Sequence, residues 1–532
     1  MGTIEDLAKR HRLSVDFDAE PLILDPSDPL SSARRFVELV HMHRLGRTLY
    51  RHAGSFWTYT GTHYRELPAE ELRAALYPFL AVAKRRVRSS KNGKIELAPF
   101  KPTTSKVSQV IDALAAHAFL AAGYAMPAWL DDRAALPPRE LVPLANGLLH
   151  LPTGQLVAHT PQYFGGYALP FAYNPAAGEP AEWLRFLTSI WPDDNEARDT
   201  LQELMGLLLT PETRYQKLFL IVGPKRSGKG TVGRVIRAML GGGNVPGPTL
   251  SSLATNFGLQ PLIGKPAAII SDARLSGRAD AAIIAERLLS ISGEDAITVD
   301  RKHVDPWTGT LPTRFVILTN ELPRIADASG ALASRFVVLT MRESFFGRED
   351  HGLTDRLIAE LPGILNWAAA GWKRLAERGH FVMPRSSADA VQDIESLSSP
   401  ILAFLRSCCE VRPGAEVECS ELFERWCGWC KSEGRDHPGT APSFGRDLKA
   451  AVAGVEVQQP RRGELRVRVY AGVGIRAAEQ YDGLARVGTR VPHCTPPFRT
   501  GSDDEEKKKS CNGVERVPTR VSPDAIDAEF DR

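Results

Sequence analysis

Five apolar residues, Leu218-Phe219-Leu220-Ile221-Val222, run directly into Gly223-Pro224-Lys225-Arg226-Ser227-Gly228-Lys229-Gly230-Thr231, and Val232, Val235, Ile236, Met239 and Leu240 then fall on one helical face. A strand, a Gly-x-x-x-x-Gly-Lys loop and an amphipathic helix in that order are the setting of a phosphate-binding loop. The glycines let backbone amides converge on phosphate oxygens, the helix N-terminus adds partial positive charge, and Lys229 can reach the β and γ phosphates of ATP. Gly230 stands where Ser or Thr ordinarily binds magnesium, and the hydroxyl moves to Thr231. The expected Mg2+ is then held by Thr231 or through water.

Two further apolar runs end in chemically useful residues, Ala267-Ala268-Ile269-Ile270-Ser271-Asp272 and Phe315-Val316-Ile317-Leu318-Thr319-Asn320. In an open parallel sheet ligands sit at the carboxyl ends of the strands, so Lys229, Asp272 and Asn320 are expected to face one site. Asp272 suits the magnesium or water-polarising role, and Asn320 can orient the attacking water. Arg335 lies fifteen residues beyond Asn320, just before the apolar Phe336-Val337-Val338-Leu339. Its guanidinium is read as reaching the γ phosphate of a neighbouring subunit.

The chain of 532 residues is long enough for three or four domains. With 43% hydrophobic and 24% charged residues it has ordinary globular composition, which excludes collagenous and disulfide-scaffold classes. A net charge of +3 is too small to name a polyanionic partner, so any nucleic-acid signal must be local. Seven scattered cysteines read as reduced thiols, and the opening MGTIEDLAKRHRL lacks an apolar leader core. The near-uncharged stretch 113–130 is broken by His117, Gly123 and Pro127 and is no membrane span. A cytoplasmic protein is expected.

The fold expected is multidomain α/β. It comprises an N-terminal segment (1–63) with a small hairpin near Phe56–Gly61, a mostly helical domain (64–205) and a phosphate-loop ATPase core with a parallel sheet (206–380). A winged-helix-like domain (395–475) and a disordered, charge-rich tail (476–532) follow.

The phosphate loop, Ile269-Ile270-Ser271-Asp272, Ser292-Gly293-Glu294-Asp295-Ala296-Ile297, Arg301-Lys302-His303, Thr319-Asn320-Glu321-Leu322-Pro323 and Ser334-Arg335-Phe336 occur in the order found in a known family. Together with Ala145-Asn146-Gly147-Leu148-Leu149-His150-Leu151-Pro152-Thr153-Gly154 upstream, the sequence resembles the superfamily-three helicases. The resemblance is to the phage and plasmid primase-helicase type related to poxviral replication ATPases, over roughly residues 60–475. It implies an AAA+-like ATPase core and a hexameric ring that moves 3′ to 5′ on single-stranded DNA and opens forks.

It also implies Walker A at Gly223 through Thr231, Walker B at Asp272, sensor 1 at Asn320, an arginine finger at Arg335 and DNA contacts from Lys302 and His303 on a hairpin. About 60 residues before the helical region are too few for a primase domain, so priming is expected from a separate protein. Gly230 and the single acid after Ser271 depart from the commonest pattern and bear on the metal geometry.

Two basic regions are candidate DNA contacts. Residues 84–106 carry eight Lys/Arg against one Glu, a composition that binds phosphates by releasing counterions. In the winged-helix-like segment Ser443 is expected to cap a helix with Phe444, Leu448 and Val452 inward, leaving Arg446 and Lys449 exposed. A hairpin from Gln458 to Val469 then presents Arg461, Arg462, Arg466 and Arg468. Cys427 and Cys430, with Cys419 and His437 nearby, lack the second pair of a structural zinc site, and Leu422, Phe423, Trp426 and Cys430 fit one helical face instead. Two other functions compete with a helicase: a replication initiator that uses ATP as an assembly switch, and a nucleotide kinase of the Gly-Lys-Gly-Thr type.

Overall fold

The computed structural model describes residues 21–476 apart from Lys91, Asn92, Ala122, 132–135, 272–277, His303, 324–330, Arg435, Asp436, Gly463 and Glu464. The tail expected to be disordered, beyond Arg476, and the acidic residue Asp272 therefore lie outside the described residues.

The chain enters through helix α1 (Pro29–Val40), which Asp28 caps by accepting a hydrogen bond from Ser31 N at 3.0 Å. Strands β1 (Leu49–His52), β2 (Ser55–Tyr59) and β3 (Tyr64–Leu67) form an antiparallel meander. Ala53 and Gly54 both adopt positive φ, 47° and 79°, as a two-residue hairpin turn requires. Helix α2 (Ala69–Val82), the ribbon β4 (Lys84–Arg88) and β5 (Ile95–Pro99), and helix α3 (Thr104–His117) complete this unit. Phe36, Leu49, Phe56, Leu76, Phe79, Phe100 and Leu114 share one core.

Two expectations are corrected here. The boundary at 63/64 falls inside a hairpin, because Tyr59 pairs with Tyr64. The stretch 64–205 is not mostly helical: β6 (Leu141–Leu144), β7 (Gly147–His150) and β8 (Gln155–Val157) form an antiparallel sheet ahead of helices α4 (Ala181–Ile190) and α5 (Asn195–Leu207). The apolar run Gly147–Leu151 marks β7 as a strand in the sequence, but β6 and β8, at four and three residues, are too short to show a pattern of their own.

The central layer is a parallel four-stranded sheet. In chain order it contains β9 (Leu218–Val222), then helix α6 (Lys229–Leu240), β10 (Ala267–Ser271), helix α7 (Arg278–Ser292) and the antiparallel hairpin β11 (Ile297–Arg301) and β12 (Val304–Gly309). Strand β13 (Arg314–Thr319), the short helix α8 (Ala331–Arg335) and β14 (Phe336–Thr340) follow, and the strand order is β10-β13-β9-β14. Phe219, Ile221, Val316, Leu318, Val337 and Leu339 point into a core shared with α5 and α6. Leu220, Ala268, Ile270, Phe315, Ile317 and Val338 point the other way, onto Ile284 and Leu288 of α7. Burial on both faces explains why these strands read as continuous apolar runs.

Helix α9 (Leu361–Arg378) closes the layer by packing on α5. The two backbones approach so closely that a Cβ on Gly206 would sit 2.3 Å from Ala368 O, and one on Gly371 would sit 2.5 Å from Gln202 O. Beside this contact Glu203, 2% exposed, accepts from Arg374 Nε at 2.8 Å and from Arg378 Nη1 at 3.0 Å.

The last unit runs helix α10 (Pro400–Cys408), strand β15 (Cys409–Glu418), helices α11 (Cys419–Ser432) and α12 (Ala441–Ala451), strand β16 (Glu456–Gln458), a small hairpin of β17 (Arg461–Arg462) and β18 (Leu465–Arg466), and strand β19 (Val469–Ile475). The sheet order is β15-β19-β16, antiparallel throughout. Phe404, Trp426, Trp429, Phe444 and Tyr470 fill its core, with the two indoles stacked at 5.4 Å. Cys430 is buried in that core, and among the described residues no cluster of His, Cys, Asp and Glu is arranged to hold a metal. The cap of α12 differs from expectation: Thr440, not Ser443, is the N-cap, in a reciprocal box with Ser443 N to Thr440 Oγ1 at 3.3 Å and Thr440 N to Ser443 Oγ at 2.9 Å. Among the described residues no helix is long and apolar enough to cross a membrane.

The α5–α9 approach yields a stability prediction. Gly371→Val forces a branched side chain against the α5 backbone, and overpacking of this kind costs roughly 1–3 kcal/mol. Urea unfolding followed by tryptophan fluorescence should show an earlier midpoint; an unchanged midpoint would contradict the backbone contact.

Candidate nucleotide site

Because β9, β10, β13 and β14 run parallel, their carboxyl ends share one edge, and the loop Gly223 to Gly228 leaves β9 at that edge. Gly223 N donates to Thr319 O at 3.3 Å, and Met341 N donates to Val222 O at 2.7 Å. A side chain at Gly223 would strike Met341 O at 2.6 Å, so glycine is required by the neighbouring strand as well as by any ligand. Arg226 and Gly228 adopt left-handed φ of 60° and 95°. These turns aim the loop back over the start of α6, whose first amides have no partner within the helix.

Lys229 is 9% exposed, and its ammonium donates to Gly223 O at 2.7 Å, Pro224 O at 2.6 Å and Ser227 Oγ at 3.1 Å. Burial holds its pKa below the ordinary lysine value. The lysine is thus folded into the loop it serves. Thr231 Oγ1 accepts from Arg234 Nη2 at 3.0 Å, and Arg234 Nε donates to Thr354 Oγ1 at 3.1 Å. A cation coordinated directly by Thr231 would have to displace that guanidinium, so Thr231 as it stands does not fit a direct metal ligand.

A segment after β14 straps the loop down. Ser344 Oγ donates to Lys225 O at 2.9 Å, Phe345 N donates to Arg226 O at 2.9 Å, and Arg226 pairs with Glu349 at 3.3 Å. No motif in the sequence marked Ser344, Glu349 or Arg234, because each acts through contacts distant along the chain.

Asn320 follows β13 at the same edge and is half-buried. Thr319 pairs with Val222, and its hydroxyl donates to Glu321 O at 2.7 Å, turning the chain directly after Asn320. Ser271 pairs with Leu318, one position short of that edge, and Asp272 beyond it lies outside the described residues. The structure therefore brings the loop, Lys229 and Asn320 together.

Arg335 is elsewhere. Phe336, the next residue, pairs with Leu218 at the amino edge of the sheet. Five strand residues, about 16 Å at 3.3 Å each, separate that edge from the loop. Arg335 Nη1 donates to Leu289 O and Ser292 Oγ, both at 2.8 Å, and so caps the last turn of α7. Lys217 lies alongside, donating to Ser334 O at 2.9 Å, with its pKa lowered by burial and by Arg335.

Among the expected DNA contacts, Lys302 is exposed at the tip of the β11–β12 hairpin with its backbone N donating to Gln260 Oε1 at 3.2 Å, and His303 lies outside the described residues. The adjacent Arg301, part of the same motif segment but given no role by the sequence, reaches Ser55 Oγ and Ala53 O at 3.5 Å across the β1–β2 turn. Arg446 and Lys449 are exposed on α12, as are Arg461, Arg466 and Arg468 on the hairpin strands and the connection to β19; Arg462 lies on β17.

Residues 33–192 match the family described as D5 N terminal like, and residues 221–335 match a family of unknown function (DUF5906). The A form apo structure of the NrS-1 C terminal region is similar at 11% identity and a TM-score of 0.41, over 80% of this chain and 96% of that one. The A form of its 305–718 portion gives 13% identity and a TM-score of 0.37, over 56% and 77%.

The loop conformation itself is testable. Gly228→Ala places a Cβ about 3.1 Å from Ile190 Cγ2 and 3.2 Å from the Phe186 ring, at a φ that disfavours any L side chain. Left-handed strain of about 1–2 kcal/mol would weaken the hold of this loop on a polyphosphate such as ATP by roughly tenfold. Titration calorimetry should record that loss with the fold intact by circular dichroism; wild-type affinity would mean that the loop is shaped otherwise.

Proposed function

We propose that the protein is an ATP-dependent DNA helicase of a mobile-element replication system, working in the cytoplasm as a hexameric ring on single-stranded and forked DNA. The observation that carries this reading is the division of labour across one parallel sheet. Lys229 and Asn320 share the carboxyl edge, whereas Arg335 sits at the amino edge, out of reach of its own loop. An arginine so placed can meet a γ phosphate only on another copy of the chain.

In this reading the loop from Gly223 to Thr231 cradles the phosphates and Lys229 exchanges its carbonyl partners for phosphate oxygens. Asn320 orients the attacking water, and Arg335 of the adjacent subunit stabilises the charge of the transition state. Mg2+ accompanying ATP would supply further charge neutralisation. Asp272 keeps its water-polarising role on the strength of its sequence position. A separate primase would supply primers.

The element order of residues 400–475, helix, strand, helix, helix and then β16 and β19 joined through the small hairpin β17–β18, supports a winged helix. Its α12 helix would offer Arg446 and Lys449, and its wing would offer Arg461, Arg462, Arg466 and Arg468, to DNA. Lys302 on the core hairpin, with His303 next to it in sequence, would move the strand.

Two variants test chemistry and assembly together. Lys229→Ala should bind and hydrolyse ATP poorly, because phosphate charge loses its principal counter-charge. Arg335→Ala should bind ATP yet lose hydrolysis by a factor on the order of 10³ to 10⁵, the scale of a missing arginine finger. Mixing the two after subunit exchange should restore part of the turnover, since interfaces with an intact lysine and an intact arginine reappear. Free exchange without recovery would sink the shared-site reading, and turnover without strand displacement would leave an ATP switch in place of a motor.

A further inference from the structure

The basic run near residue 84 does not form a loop. It forms the ribbon of β4 and β5, in which Lys84 pairs with Pro99, Arg86 with Leu97 and Arg88 with Ile95. Those six residues lie on one face, and all six are exposed, Ile95 at 70% and Leu97 at 45%. Arg85, Val87 and Ala98 occupy the other face and are half-buried.

The ribbon's root is fixed. Ala83 and Phe100 are buried and joined by Phe100 N to Ala83 O at 2.9 Å, while Lys84 N and O bond Leu22 O and Leu24 N at 2.8 and 2.9 Å. Its far end is closed by Ser89 N to Lys94 O at 2.9 Å. The one acid of the ribbon, Glu96, pairs with Val87 on the opposite face. Among the described residues no carboxylate meets Lys84, Arg86 or Arg88.

We propose that this face is a contact for the phosphate backbone of duplex DNA, separate from the core hairpin and from the C-terminal wing. Alternate residues on a strand stand about 6.8 Å apart, close to the through-space separation of successive phosphates on one strand, which wind round the duplex while rising about 3.4 Å each along its axis. Three cations at that interval match a row of phosphates. A two-stranded ribbon also fits the width of the major groove. Single-strand sites instead rely on aromatic side chains that stack on bases, and residues 84–99 contain no Phe, Tyr, Trp or His. Ile95 and Leu97 would lie against the sugars between the cationic contacts.

The choice of DNA among polyanions rests on the replication reading, but the contact does not depend on ATP, so it is measured without nucleotide. The experiment follows anisotropy of a fluorescent mixed-sequence duplex and of a fluorescent oligo-dT strand, bound by the full chain between 50 and 200 mM NaCl. In Arg86→Ala/Arg88→Ala the slope of log affinity against log salt for the duplex should fall by about 1.8, or 0.9 per lost phosphate contact. The salt-induced loss of duplex affinity over that range then shrinks by about twelvefold, and oligo-dT binding stays as in the wild type. Arg86→Lys/Arg88→Lys should keep the duplex slope, which separates charge from folding. An unchanged duplex slope in the alanine variant, or an equal loss on oligo-dT, overturns the proposal. Loss of the duplex slope alongside a Lys229→Ala protein that still hydrolyses ATP would leave the ribbon standing and the helicase reading fallen.

Discussion

Everything at the candidate nucleotide site depends on four strands running in the same direction. A parallel sheet has two unlike edges, and each side chain at a strand end is committed to one of them. The loop after Val222 and Asn320 after Thr319 share one edge through the Val222 to Thr319 pairing. Arg335, immediately before Phe336, is committed to the other. No rotamer change can undo that separation, because the intervening strands are buried on both faces.

The loop is also held from outside the sheet. Gly228 rests against Phe186 and Ile190 of α4, and α4 is itself anchored at both ends. Glu360 accepts from Glu182 N and Trp183 N at 3.0 and 2.9 Å, where a carboxylate complements the helix dipole. At the other end Trp191 Nε1 donates to Thr340 O at 2.8 Å. Residues from widely separated parts of the chain thus set the shape of a loop whose own sequence looks self-sufficient. A glycine-rich motif specifies which conformations are permitted, and the packing around it selects one.

That distinction marks what was legible in the sequence. The strand before the loop, the helix after it and the apolar runs ending at Ser271 and Thr319 were readable, because burial on both faces leaves an unbroken hydrophobic signature. The inward positions of Phe444 and Leu448 were readable from helical spacing. The boundaries among residues 21–205 were not. Apart from the hairpin near Phe56–Gly61 and the apolar run at Gly147, their strands are only two to five residues long, too short for alternation to stand out beside the helical pattern. The ribbon was visible as charge but not as shape, since pairing Arg86 with Leu97 is a tertiary fact. The contact of Arg301 with the β1–β2 turn and the strap at Ser344 and Glu349 were invisible for the same reason.

The posture of Lys229 has a consequence for selectivity. Its ammonium already holds three oxygen partners, two of them backbone carbonyls of the loop. An arriving anion therefore gains only the difference between its own oxygens and those it displaces, and the abandoned carbonyls must find new donors. A singly charged anion offers little margin in such an exchange, whereas a polyphosphate contributes several charge-assisted hydrogen bonds at once. In the proposed nucleotide site the folded-back lysine would act as a threshold, with weak anions turned away by competition from the loop itself and without a steric gate.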